Sequence, residues 1–188
     1  METLTSRVKA ILLEPRTTWR EIDTEFTKPG AVWARYVFPL ASLGALARTI
    51  GMIIFGKQVA LTSLTNPVGL STAVVSGVVV LVVAILSVFL LSKIISLLAP
   101  GFGGNANDVQ ALKAAAYSST AAWIGSVFAL IPALNLVSVF ISLYSVVLLY
   151  LGLPIVMKVP KDRAMGYTAV VIIVAIVVFV IGQAVISG

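Results

Sequence analysis

The chain is 188 residues long, 60% hydrophobic and 11% charged, with a net charge of +6 and a mean hydropathy of +1.09. A soluble domain of that length carries roughly a quarter of its residues as charges to cover its surface, so this composition argues for the bilayer as solvent. Cysteine and histidine are absent, which removes disulfides, thiolate nucleophiles, Cys/His metal sites and imidazole acid–base catalysis.

Residues 1–30 mix five basic with five acidic side chains and read as a separate cytoplasmic amphipathic segment. Leu4, Val8, Ile11 and Leu12 recur at helical spacing beside Arg7 and Lys9 until Pro15 ends the pattern. Thr18-Trp19-Arg20-Glu21 has capping-box spacing and opens a second short helix, with Trp19, Ile22 and Phe26 on one side. Two such helices just ahead of a span are expected to lie on the membrane, with Arg7, Lys9 and Trp19 as surface contacts. The other arrangement is a small cap packed on the spans. The segment holds no apolar core of the length a cleavable leader needs, so the first span is expected to act as an uncleaved anchor.

Residues 31–187 predict an all-α polytopic membrane domain, a bundle of five transmembrane helices at about 31–56, 72–98, 109–130, 133–157 and 165–187. Stretches 58–92, 114–157 and 164–188 contain no Asp, Glu, Lys or Arg. As a single helix the 44-residue block would be about 66 Å long, roughly twice a hydrocarbon core of about 30 Å. It must fold back, and Ile131-Pro132-Ala133-Leu134-Asn135 is the place to turn. The glycine run from Ala99 to Asn105 reads as a turn; it lacks the Lys-Ser/Thr that binds phosphate and follows no strand. Asn107 with Gln110 can cap the third span.

Composition also ranks the spans. The third, ALKAAAYSSTAAWIGS (111–126), is rich in small residues that let backbones approach, so it should be central. The fifth, TAVVIIVAIVVFVI (168–181), is bulky and β-branched and should face lipid. In the fourth, Asn135, Ser138, Ser142 and Ser145 step by three or four along one face. Such a stripe either hydrogen-bonds to neighbouring helices, its commoner use, or lines a narrow polar path.

Lys and Arg set the orientation. With the N-terminus inside, the inner side collects eleven of them, including Lys158, Lys161 and Arg163 in the last inner loop, and the outer side only Arg48 and Lys57. The C-terminus then lies outside. Trp33 and Tyr167 are expected at the inner interface, where amphipathic rings belong. The basic inner rim, with Lys158, Lys161 and Arg163 as further surface contacts, suits anionic lipid headgroups, and nothing reads as a nucleic-acid surface.

All seven carboxylates (Glu2, Glu14, Glu21, Asp23, Glu25, Asp108 and Asp162) lie outside the predicted spans. Cation-coupled transporters place a carboxylate near mid-bilayer, and intramembrane serines here have no base beside them. Neither an enzyme nor a bound cofactor or metal is expected.

The stretch AAAYSSTAAWIGSVFALIPALNLVSVFISLYSVVLLYLGLP (114–154), followed by a short basic loop and a last apolar span, resembles the Yip family of Ypt-interacting proteins and their prokaryotic relatives. Pro15 followed by Trp19 in a short N-terminus agrees, as do Tyr117, Pro132, Tyr144 and the run Tyr150-Leu151-Gly152-Leu153-Pro154. Thr120 and Ala121 stand where a proline commonly follows the tyrosine stretch. The long N-terminal region and Asp-Leu-Tyr-Gly-Pro motif of eukaryotic members, which are linked to Rab-type GTPases, are missing. GTPase binding is therefore not carried over. The resemblance implies a multi-pass protein of a prokaryotic cytoplasmic membrane.

The expected function is a non-enzymatic membrane protein that binds protein partners, another copy of itself among them, or shapes the bilayer. The alternative is a small channel or carrier for a neutral or anionic solute, built on the fourth-span stripe. Arg48, a permanent cation inside the first span, shares a face with Ala41, Gly44, Ala45 and Gly51. It is expected to point inward and hydrogen-bond to the turn at 129–138, or failing that to hold an anionic lipid or solute with Asn135, Ser138, Ser142 and Ser145. Snorkelling to the headgroups is the plainer outcome.

Overall fold

A computed structural model describes the backbone of residues 3–58 and 64–187, with side chains through 177. Thr3 caps the first helix, α1 (Leu4–Leu13), its side chain accepting from the Ser6 N–H at 3.2 Å. Pro15, which has no N–H to leave unpaired, takes the first position of α2 (Pro15–Thr24). That corrects the capping box: Thr18 lies one turn inside α2 and donates its hydroxyl proton to the Glu14 carbonyl at 2.8 Å.

The first predicted span begins as α3 (Pro29–Val32), passes through a wide π turn at Trp33–Val37, and continues as α4 (Phe38–Phe55). The wide turn has a packing reason. Residues five apart on an α-helix point about 140° apart, yet Val32 and Val37 are both buried; the extra residue in the turn brings them onto one face. Beyond Gly56 a short antiparallel pair, β1 (Lys57–Gln58) and β2 (Thr65–Asn66), forms a hairpin absent from the sequence reading.

Next come α5 (Leu70–Leu98), a 3₁₀ turn Ala99–Phe102 closed by left-handed Gly103, and α6 (Asp108–Ser118). Asn107 caps α6 as expected, accepting from the N–H groups of Val109 and Gln110 at 3.0 and 3.1 Å. The third predicted span is two helices, α6 and α7 (Thr120–Phe128), broken at Ser119. Hydroxyls accompany the break: Ser119 donates to the Ala115 carbonyl and Thr120 to that of Tyr117, competing there with backbone N–H donors. The turn at 131–135 is where expected, and α8 (Asn135–Val156) and α9 (Lys161–Ser187) complete the chain.

Three helical segments among the described residues are long and apolar enough to cross a membrane: Pro29–Phe55, Leu70–Phe102 and Pro132–Val156. The fold is thus all-helical but for the hairpin. α6 is the most enclosed element, with residues 111–118 all buried, in keeping with its four alanines. The expectation for the fifth span is qualified. The near half of α9 buries Ala164, Tyr167, Thr168 and Val171, and the side chains of its far half lie outside the described residues. Of the three long segments it is Leu70–Phe102 that is least enclosed, 11% of its most apolar stretch being buried against 44% for Pro29–Phe55. Tyr167 also departs from its expected interfacial place: it is fully buried and donates to the Ile95 carbonyl at 2.6 Å.

A tight seam joins α7 to α8 at Gly125, where a Cβ would stand 2.8 Å from the Ser138 carbonyl oxygen and 3.1 Å from the Ser142 amide nitrogen. Those are backbone atoms and cannot rotate away. Gly125→Val should cost about 1–3 kcal/mol by overpacking, read as a lower melting temperature in detergent. Gly101→Ala, at a site with nothing within 4 Å, should leave it unchanged.

Asp108, outside the apolar segments, ties α6 to α5 through Lys93 at 2.6 Å and Ser96 at 2.7 Å. The Lys93 hydrogen bond first, then that of Ser96, holds this carboxyl below the usual carboxylate range. A group lowered in the folded state stabilises above its ordinary value and loses that contribution as the pH falls below about 4. Asp108→Asn should remove this part of the acid sensitivity of the melting temperature.

Candidate functional site: a clamped N-terminal cap

α1 and α2 do not lie free on a membrane surface. Ile11, Trp19 and Ile22 are fully buried, and Leu4, Val8 and Leu12 pack against the same core. The apolar face that could have entered lipid is covered by protein, so the interfacial expectation gives way to a docked cap. Trp19 meets Tyr117 edge-on, ring centroids 6.2 Å apart, and lies directly over Gly152 of α8, where any side chain would occupy the space of the indole.

The clamp is Lys113. Its residue is 2% exposed, and a buried ammonium is costly unless its donors are met. It donates to the Ile22 carbonyl at 2.8 Å and also to that of Glu25. These are unpaired carbonyls at the C-terminal end of α2, where the helix dipole is negative. Around it Gln110 donates to the Asp23 carbonyl at 3.0 Å, Tyr144 to that of Leu12 at 3.2 Å, Lys158 pairs with the Asp23 carboxylate, and Arg7 with Glu25 at 2.8 Å.

Of the expected membrane-surface contacts, Trp19 is therefore corrected to a core residue, Arg7 is tied inside the cap, and Lys158 pairs with Asp23 while staying exposed. Lys9, Lys161 and Arg163 are exposed. The fourth-span stripe faces α7. Ser138 is buried; Ser142 donates to the Ser138 carbonyl at 2.7 Å; Ser145 accepts from the Ala122 N–H at 2.9 Å, meeting a donor freed by the break at Ser119. Asn135 is half-buried at the start of α8.

Arg48 does not take its expected inward place. It is exposed, and among the described residues it makes no hydrogen bond to the 129–138 turn. Gly51 holds that position instead: α4 comes so close that a Cβ there would be 2.7 Å from the Leu130 carbonyl oxygen. The guanidinium and the stripe do not form one site.

Lys113 was legible only as an inner-side charge. Its signal in the sequence is a lone lysine in ALKAAAY, where small neighbours leave room for a partner element. Lys113→Met keeps the volume and removes the clamp. We expect a loss of about 1.5–3 kcal/mol, seen as faster tryptic cleavage at exposed Arg16 and Arg20 of α2 while the remaining helices stay protected.

Neither the curated proteins nor the solved structures contain a match to this chain. Residues 9–182, which include Trp19, Lys113 and Gly152, match the Yip1 domain. With the match running through both the cap and the helices that hold it, the chain belongs to the Yip1 domain family.

Proposed function

We propose that this chain is a non-enzymatic integral membrane protein whose docked cap presents a basic, partly apolar platform to a protein partner at the cytoplasmic face. The observation that carries this reading is the rigid docking of the cap by Lys113, which leaves its outer surface displayed. That surface carries Lys9, Arg16, Arg20 and Lys28, all exposed, and two large apolar side chains, Leu13 at 78% and Phe26 at 92% exposure. Basic charge around isolated apolar anchors suits an acidic partner with small apolar pockets.

Five spans in a prokaryotic cytoplasmic membrane, N-terminus inside and C-terminus out, fit this reading. α6 with α7, and α9, would supply the two crossings beyond the three long segments. The carboxylates support a non-catalytic role, since Asp23, Glu25 and Asp108 are engaged in ion pairs that hold the fold. The serine stripe, engaged in packing against α7, gives no support to a solute path.

A photo-crosslinking residue at position 26, in native membranes, should yield a discrete adduct that weakens when Arg16 and Arg20 are both changed to Gln. Purified protein in liposomes should pass no solute. Solute-specific flux abolished by Ser142→Leu, without an adduct, would move the assignment to a channel or carrier.

A further inference from the structure

A cleft of about 520 Å³ opens between α1, the linker at 25–27 and the wide turn of the first span. Its floor is aromatic. The rings of Tyr36 and Tyr117 lie with centroids 4.4 Å apart, and the Tyr36 hydroxyl is engaged with Thr120 at 2.7 Å, so Tyr36 contributes ring carbon rather than its hydroxyl to the floor. Leu4 and Val32 continue the apolar wall.

Its charges are Arg7, Glu25 and Arg35. Arg7 is paired with Glu25 at 2.8 Å. Arg35 is exposed and has no ion pair among the described residues. Among the described residues the cleft thus carries one positive charge beyond that pair, and it stands at the rim. In the wall, the Thr27 hydroxyl is buried without a hydrogen-bond partner.

Arg35 also heads a column. Pro39, Leu43, Leu46, Ile50 and Ile53 follow it at steps of four, four, three, four and three residues, and all are exposed. That spacing keeps them on one face of the helix. From Pro39 to Ile53 the column runs about 21 Å, enough to line one leaflet of a hydrocarbon core of about 30 Å. An unpaired cation stands at one end, an aromatic cleft beside it, and an acyl-length apolar track leads away.

We propose that this cleft and column bind an anionic phospholipid, its phosphate on Arg35, its headgroup over the Tyr36 and Tyr117 rings, and an acyl chain along α4. Guanidinium–phosphate pairing gives the site its preference for anionic over zwitterionic headgroups. The site is separate from the outer surface of the cap and does not depend on the partner reading above.

The full chain, purified in detergent and examined by native mass spectrometry, tests this with phosphatidylglycerol, phosphatidylcholine and soluble glycerol phosphate as probes. The wild type should retain phosphatidylglycerol in preference to phosphatidylcholine. Arg35→Gln, at an exposed position that should still fold, should lower that retention about tenfold, equivalent to about 1.4 kcal/mol. Arg16→Gln, which removes a cation outside the cleft, should not. Equal retention of the two lipids, or an equal fall in both variants, overturns the proposal in favour of diffuse charge. Displacement of the lipid by submillimolar glycerol phosphate would assign the cleft to a soluble phosphoester instead.

Discussion

An ammonium group cannot sit in an apolar bundle without oxygen acceptors, and the way Lys113 meets that demand shapes this end of the molecule. No carboxylate lies on its own helix face. The acceptors are the last carbonyls of α2, and delivering them there fixes where α2 must end and how it must lie. Once α2 is so placed, Trp19 falls over Gly152, Ile22 enters the core, and Asp23 and Glu25 come within reach of Lys158 and Arg7. Cap and bundle form one hydrophobic core, because Ile11, Trp19 and Ile22 are buried against protein and are no longer available to lipid.

The rest of the bundle is organised by close backbone approach. In lipid, helices gain little from burying leucine against leucine, so small residues and hydroxyls decide which surfaces meet. Gly125 lets α7 reach the Ser138–Ser142 stretch of α8, and Gly44 brings α4 against Ser126. The break at Ser119 frees an amide that Ser145 accepts from across the seam. A residue that weakens one helix is here compensated by a neighbour, and the two must have been fitted together.

The first span shows the same trade inside one helix. Its wide turn lengthens five residues of hydrogen-bonding ladder, yet it allows Val32, Tyr36 and Val37 to be buried together while Arg35 faces outward. A regular helix would turn one of these away from the core. Such turns are found where a side chain must be re-aimed, and in this chain the re-aimed cation stands at the mouth of the aromatic cleft.

By itself the sequence determined what composition and short-range pattern can determine: a membrane protein, a helical fold with turns near 99–105 and 131–135, and a central third segment. These follow from apolar runs, proline and glycine positions, and residue size, all local properties. It also located the stripe of α8, because helical spacing fixes which side chains share a face. It could not say what each face would meet. The amphipathic pattern of residues 4–22 is the same whether lipid or protein covers it, and only the bundle supplied the groove that Trp19 and Ile22 fill. Arg48 lies on a small-residue face, yet the distance between backbones at Gly51 and Leu130 excluded it from the turn. Lys113 shows the limit most plainly. Its partners are carbonyl oxygens about ninety residues away in the chain, and every residue has a carbonyl, so no residue type marks them in advance. Which of them face a buried cation is decided by where one helix ends against another, and that is a property of the tertiary structure alone.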